Sequence, residues 1–283
     1  MHQPVLTQEI LSFFTAPIAV FIDGTLGLGG HAESLLTAHK ELLKYYGIDR
    51  DPEALAHAKE RLDERLIPLH GSFSEMDTLV PERADGILLD LGVSSLQLDK
   101  AQKGFSFMRE GPLDMRMNPE DPVDAETIVN SYSERELGEI FREYGEERKW
   151  RQAAKAIVHA RKKCRIETTL QLCQALEPVL KRSGKIHPMT RVFQALRIKV
   201  NEELLVLEEV LPKAVALLNP GGRLAVISFH SLEDRIVKHA FRDFVVEEKG
   251  VNILTKKPVV ASREETKSNP RARSAKLRVL EKV

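Results

Sequence analysis

The feature of this chain that most restricts its fold is a series of short apolar runs, each closed by a turn or an acid, the first four of them separated by helical patterns. Residues 19–23, 45–49, 66–70, 86–90 and 223–228 have the length and apolar content of buried strands. Helical patterns at 31–39 and 52–65, and a turn around 76–80, separate the first four. Such β-α-β-α alternation predicts an α/β fold, a parallel sheet with helices on its faces.

The alternation stops after Asp90 and resumes at Asn219-Pro220-Gly221-Gly222, the turn into the fifth strand. What lies between reads as an insertion, a glycine-containing loop followed by helices. Ser133 with Glu136 and Thr168 with Gln171 have capping-box spacing, which predicts helices near 134–144, 147–162 and 169–181. Pro188 opens a further helical pattern through 191–200 and on to Leu218, with a break or restart expected at Pro212. The expected domains are 1–103 and 200–283, which build the sheet, and 104–199, an inserted helical domain. After the fifth strand, Ser231 and Asp234 have capping-box spacing, and Ile236, Val237, Ala240, Phe241, Phe244 and Val245 share one helical face. Two last strands are expected at 251–256 and 276–280, separated by a polar loop.

Charge restricts the partners. Lys plus Arg equals Asp plus Glu at 42 each, so any nucleic-acid contact must come from local patches. Three are visible: Arg161-Lys162-Lys163 with Arg165, Lys181-Arg182 with Lys185, and Arg271 with Arg273, Lys276 and Arg278, the last being the most persuasive. Cys164 and Cys173 have no metal or redox spacing, so no metal is expected and a reducing compartment fits. The start lacks a basic segment before its apolar stretch, and the run 13–22 is interrupted by Thr15 and Pro17. A cytoplasmic protein without membrane association is the expectation.

The first strand ends in Asp23 and enters Gly24-Thr25-Leu26-Gly27-Leu28-Gly29-Gly30-His31 before a helix. Glycines there admit a ligand to the backbone, although a plain tight turn would explain them as well. Asp49 closes the second strand 19 residues after Gly30, where a carboxylate takes the ribose hydroxyls of an adenosine. The same acid suits a dinucleotide, but no glycine stands three residues after Gly29, so a ligand lacking phosphates fits better. S-adenosylmethionine is such a ligand. Gly29, Gly30 and His31 would line its methionine end, Phe73 would cover adenine or simply fill the core, and Asp90 would sit beside the methyl group.

These residues lie in strings that resemble a known family. His2-Gln3-Pro4-Val5-Leu6, residues 23–31, Gly47-Ile48-Asp49-Arg50-Asp51-Pro52 and 86–95 are among them, with Gly104-Phe105-Ser106-Phe107 and Gly111-Pro112-Leu113-Asp114-Met115-Arg116-Met117. Further on come Tyr144-Gly145-Glu146-Glu147-Arg148, Phe193-Gln194-Ala195-Leu196-Arg197-Ile198, residues 227–235 and Asn269-Pro270-Arg271-Ala272-Arg273-Ser274. Over essentially its whole length the chain is similar to the bacterial 16S ribosomal RNA cytosine-N4 methyltransferases. The resemblance implies a class I (Rossmann-like) methyltransferase sheet with an inserted all-helical substrate domain, and S-adenosylmethionine as methyl donor. It also implies 16S rRNA as substrate, in the decoding region of the small ribosomal subunit, and leaves homodimerisation open. By matching position it implies cofactor contacts at Gly29, Gly30, His31, Asp49, Phe73, Asp90 and Gln97. Leu96 stands where the family often has Pro.

Cytosine N4 is a poor nucleophile because its lone pair is delocalised into the ring, and a sulfonium is already an activated electrophile. The residue needed is therefore one that positions the amine, and Asp90 is the catalytic candidate, with cofactor binding alone as its rival role. His230 with Glu233 could relay the departing proton, although a helix start explains that string more simply. Phe105 and Phe107 could stack on an extruded base or anchor their loop. A methyltransferase for protein or small molecules, and an assembly factor without turnover, are the rival functions.

Overall fold

In the computed structural model, which describes residues 4–92, 101–181, 187–247 and 250–283, the five apolar runs form strands. They are β1 (Val20–Asp23), β2 (Lys44–Asp49), β3 (Leu66–His70), β4 (Ala84–Asp90) and β5 (Leu218–Ser228). All five are parallel, in the order β3-β2-β1-β4-β5. Three more strands follow, β6 (Val251–Ile253), β7 (Val259–Val260) and β8 (Lys276–Lys282). β8 lies antiparallel beside β5, and both β6 and β7 pair antiparallel with β8. The chain moves from β1 outward to β3, then returns to the other side of β1 as β4. That reversal opens a crevice beyond the carboxyl ends of β1 and β4, where open α/β sheets bind ligands.

Strand alternation divides the core between the two faces of the sheet. Phe21, Tyr45, Leu88, Ala225 and Ile227 pack on one face with Ile10 of α1 (Thr7–Phe13), Leu35 of α2 (Gly30–Ala38) and Ala58 of α3 (Pro52–Arg61). Ile22, Tyr46, Ile87, Leu89, Leu224 and Val226 pack on the other, with Met76 of the short helix α4 (Met76–Leu79). Helix α1 had no counterpart in the sequence reading. Its segment is tied down by the Leu6 N–H, which donates to Glu265 Oε1 at 2.7 Å.

The chain divides into two compact units, Met1–Gly92 with Leu204–Val283, and Val93–Glu203. The second is helical, with α5 (Ala125–Ser131), α6 (Glu134–Glu143), α7 (Trp150–Arg161), α8 (Thr169–Leu176) and α9 (Thr190–Asn201) around a core that includes Leu137, Phe141, Ile157, Leu172, Val192 and Leu196. Both expected capping boxes, Ser133 with Glu136 and Thr168 with Gln171, are formed. The turn Ala101–Lys103 is bound into this unit by the Met115 N–H on the Lys103 carbonyl at 3.0 Å.

Helix α10 (Glu203–Leu217) corrects one expectation, since Pro212 sits inside it. A proline there removes one backbone hydrogen bond, which burial of Leu207, Val210, Leu211 and Ala214 against the sheet offsets. The break falls instead at Glu202, whose φ of 50° ends α9.

Helix α11 (Ser231–Val246) corrects another, because its N-cap is His230 and its capping box is His230 with Glu233. Asp234 is taken by β8: its Oδ1 accepts from Arg278 Nε at 2.7 Å and its Oδ2 from Lys276 Nζ at 3.0 Å. Val237, Phe241 and Phe244 are buried as expected, whereas Val245 is 45% exposed on the last turn. The polar loop expected between the last strands carries β7, α12 (Arg263–Ser268) and the turn Pro270–Ser274. Among the described residues no helix is long and apolar enough to cross a membrane.

Arg278 is buried, so removing its carboxylate strands a charge in the interior. Burial works to raise the Asp234 pKa, but Arg278 and Lys276 outweigh it and hold the carboxyl below 3.8. Its stabilisation is therefore complete above the unfolded value and lost as pH falls through the lowered folded one. Asp234→Ala is expected to lose about 3 kcal/mol in urea denaturation at neutral pH, a deficit that shrinks in acid.

Candidate active site

The segment between β1 and α2 is shaped by what its glycines leave out. Gly29 is the N-cap of α2 at φ 75°, and a Cβ there would stand 2.7 Å from Leu62 Cδ1. The loop is held from two sides, by the Leu26 N–H on the Ile48 carbonyl at 3.0 Å and by Arg61 of α3. Arg61 donates to the Leu28 carbonyl at 2.7 Å and pairs with Glu33 at 2.5 Å. Nothing in the spacing of the sequence signalled Arg61, because its partner lies 33 residues away.

Three carboxylates close adjacent strands around this loop: Asp49 on β2, Asp23 on β1 and Asp90 on β4. Asp49 accepts from the Gly27 N–H at 2.8 Å and the Asp51 N–H at 2.9 Å, one on each oxygen, so each oxygen keeps a lone pair. Burial raises its pKa, against those two N–H groups. Asp90 is anchored through its own N–H, which donates to Thr25 Oγ1 at 2.7 Å, and its Oδ2 lies 3.5 Å from His31 Nε2. His31 is buried, and that Nε2 has no hydrogen-bond partner, so a polar atom is held ready at the loop.

Asp23, which the sequence marked only as the acid ending a strand, is fully enclosed. It accepts from the Thr25 N–H at 3.0 Å and from the Tyr45 hydroxyl at 2.9 Å. Burial raises its pKa to about 6 against the pull of Thr25, His31 and Tyr45, and the Asp90 charge adds to the rise. Phe73 opens the turn Phe73–Glu75 after β3, half-buried, and its Cβ would lie 3.0 Å from a Cβ on Gly24. Arg50 Nη2 donates to Ser72 Oγ at 2.8 Å, which ties that turn to the end of β2. Gly29, Gly30, His31, Asp49, Phe73 and Asp90 are thus gathered along the ends of β1, β2, β3 and β4. Gln97 lies outside the described residues.

The donor set suits a cationic, phosphate-free adenosyl ligand. Three strand-end carboxylates repel a pyrophosphate and favour a positive group, and Asp49 has acceptor capacity left for two hydroxyls. The model of the MraW methylase family matches residues 1–283. The chain belongs to this family. It is 51% identical to ribosomal RNA small subunit methyltransferase H of Chlamydia trachomatis serovar L2, over 99% of this chain and 96% of that one. It is 48% identical to the protein of that name from Protochlamydia amoebophila (100% and 97%) and to that from Geobacter sulfurreducens (100% and 99%). As a family member the protein is an S-adenosylmethionine-dependent methyltransferase.

Of the two roles open to Phe105 and Phe107, the structure fits the anchoring one. Phe105 is buried in the core of the helical unit. Phe107 stacks on His187 at 4.5 Å and meets Phe193 edge-on, so it anchors its loop. In the tail patch, Lys276 and Arg278 share the single carboxylate of Asp234, and Arg273 stays exposed. In the first patch Arg165 pairs with Glu126 at 2.6 Å and Arg161 donates to the Val129 carbonyl, which leaves Lys162 and Lys163 exposed. Arg182 and Lys185 lie outside the described residues.

Two measurements test the site. Asp49→Ala removes the proposed ribose acceptor and is expected to weaken S-adenosylhomocysteine binding roughly 100-fold, read by calorimetry; unchanged affinity overturns the assignment. Between pH 3.8 and about 6 the folded state holds a proton on Asp23 that the unfolded chain has lost. Stability from this group therefore falls as pH rises through that window, and Asp23→Asn should flatten the fall by an amount on the order of 2–3 kcal/mol.

Proposed function

We propose that the protein transfers a methyl group from S-adenosylmethionine to N4 of a cytosine in the decoding region of 16S rRNA, within the small ribosomal subunit of the cytoplasm. The observation that carries this reading is the trio of strand-end carboxylates around a glycine loop without a phosphate niche. When bound, the cofactor supplies an electrophilic methyl on a sulfonium. Asp49 takes the ribose, Gly29, Gly30 and His31 line the methionine end, and Phe73 covers the adenine. Gln97 is assigned to the cofactor by position in the family's pattern.

Asp90 is the catalytic residue in this reading. Its carboxylate accepts one N4–H of the cytosine, which turns the amine lone pair out of ring conjugation, and it stabilises the positive charge that develops as the N–C bond forms and the methyl–sulfur bond breaks; the N4 proton then leaves through that carboxylate. Anchoring by Thr25 fixes where that acceptor stands before substrate arrives. The helical unit Val93–Glu203 serves substrate recognition, and exposed Lys162 and Lys163 are cations that can meet phosphate there.

Incubation with methyl-labelled cofactor and either free 16S rRNA or assembled small subunits tests the proposal. Label that digests to N4-methylcytidine is the expected result. Label in protein, or tight cofactor binding without transfer, overturns it. Asp90→Ala is expected to lower kcat at saturating cofactor by at least ~100-fold; a near-normal rate would remove Asp90 from the chemistry. Sedimentation of the active species tells whether a second copy takes part.

A further inference from the structure

We infer that His230 touches the target base, donating its Nε2–H to the ring nitrogen N3 beside the reacting amine; this rests on the cytosine reading above. The first ground is position. Asp90 stands opposite Ile227 across the β4–β5 ladder, and the Leu91 N–H continues it onto the Ile227 carbonyl at 3.0 Å. Two residues on, the Phe229 ring lies so close to Gly92 that a Cβ there would be 2.8 Å from it. His230 therefore leaves the sheet directly beside the strand that carries Asp90. The ends of β1 and β2 are given to the cofactor in this reading, so the acceptor base approaches the ends of β4 and β5. Neighbouring strands are ~4.8 Å apart, the scale of one pyrimidine edge.

The second ground is the state of the ring. Nδ1 of His230 accepts from the Glu233 N–H at 3.4 Å, so the neutral imidazole carries its proton on Nε2. That Nε2 is buried without a hydrogen-bond partner, in a side chain only 10% exposed. Glu233 Oε1 is 3.0 Å away but off the line of the N–H, while Oε2 is taken by the N–H groups of Phe229 and His230. Capping α11 does not account for this. Ser and Thr cap helices well with a single side-chain polar atom and leave no second one in the interior, and a buried donor without an acceptor is costly to maintain.

The third ground is the chemistry of the base. An Nε2 that already bears its proton is a donor, so this histidine does not take up the proton leaving N4. Cytosine offers an acceptor at N3 next to the N4 amine, and a donor on N3 turns N4 toward Asp90. Uracil carries a hydrogen at N3, and two facing donors would exclude it.

His230→Asn and His230→Ser separate capping from recognition, since both side chains cap a helix and neither reaches as far as Nε2. Both variants should melt at the wild-type temperature and bind S-adenosylhomocysteine normally. Their kcat/KM on small subunits, and the affinity of the S-adenosylhomocysteine complex for those subunits, should fall roughly tenfold. Small subunits reconstituted with 3-deazacytidine at the target, where N3 is replaced by C–H, should cost the wild-type protein a similar factor and His230→Asn nothing further. Equal losses in both proteins overturn the contact, as does wild-type kcat/KM in the variants. Chelator-sensitive activity restored by a divalent cation also overturns it, because His230 and Glu233 would then hold an ion. Wild-type protein that makes no N4-methylcytidine on native subunits removes the cytosine reading, and this inference falls with it.

Discussion

The site depends on the cost of holding three carboxylates at the ends of neighbouring strands. Burial favours the neutral acid in both Asp23 and Asp49, and like charges in one crevice add to the penalty. The chain meets that cost with backbone N–H groups, Gly27 and Asp51 on Asp49 and Thr25 on Asp23, which exist only because the chain turns sharply where each strand ends. The loop geometry and the acids are therefore one device. A cationic ligand entering such a crevice relieves the repulsion, whereas an anion would compound it.

Rigidity behind the crevice comes from residues with no reason to touch a ligand. Leu26 packs so tightly on β2 that a Cβ at Gly47 would meet its side chain at 2.7 Å, and Arg61 fastens the Leu28 carbonyl from α3. Thr25 does two things at once, since its hydroxyl receives the Asp90 N–H and its own N–H goes to Asp23. One loop residue thus couples the acids of β1 and β4. Transfer between two reactants gains most from such pre-set geometry, because little movement remains to be made when both are bound.

The sheet was legible in the sequence because buried parallel strands are short apolar runs, and their parallel direction followed from the alternation with helices. Asp49 was legible for a related reason, being a polar residue at the end of an apolar run at a fixed distance from the glycines. Asp23 was visible as a residue but not as a group of unusual pKa, since its pKa is raised by burial, which depends on what the rest of the fold packs over it. Local capping signals were correct at Ser133 and Thr168 and one residue off at α11. There the string Phe-His-Ser-Leu-Glu-Asp contains two acceptable boxes, and tertiary structure chose between them by drawing Asp234 to Arg278. Pro212 failed as a stop signal because the apolar face of α10 was worth more than one backbone bond.

That choice at α11 also decides which positive charges are available to RNA. A linear sequence counts Arg271, Arg273, Lys276 and Arg278 as one patch, but β8 turns Arg278 into the interior, where Asp234 pairs with it and also holds Lys276. Charge spent on holding α11 against the sheet is not free to displace counterions from phosphate. With equal numbers of acids and bases in the chain, and several bases committed internally, recognition of the nucleic acid rests less on a general positive field than on direct contact with the base. An exposed cation serves any phosphate while a buried donor accepts only a matched partner, so Lys162 and Lys163 of the helical unit suit the backbone, and the proposed His230 contact suits the base itself.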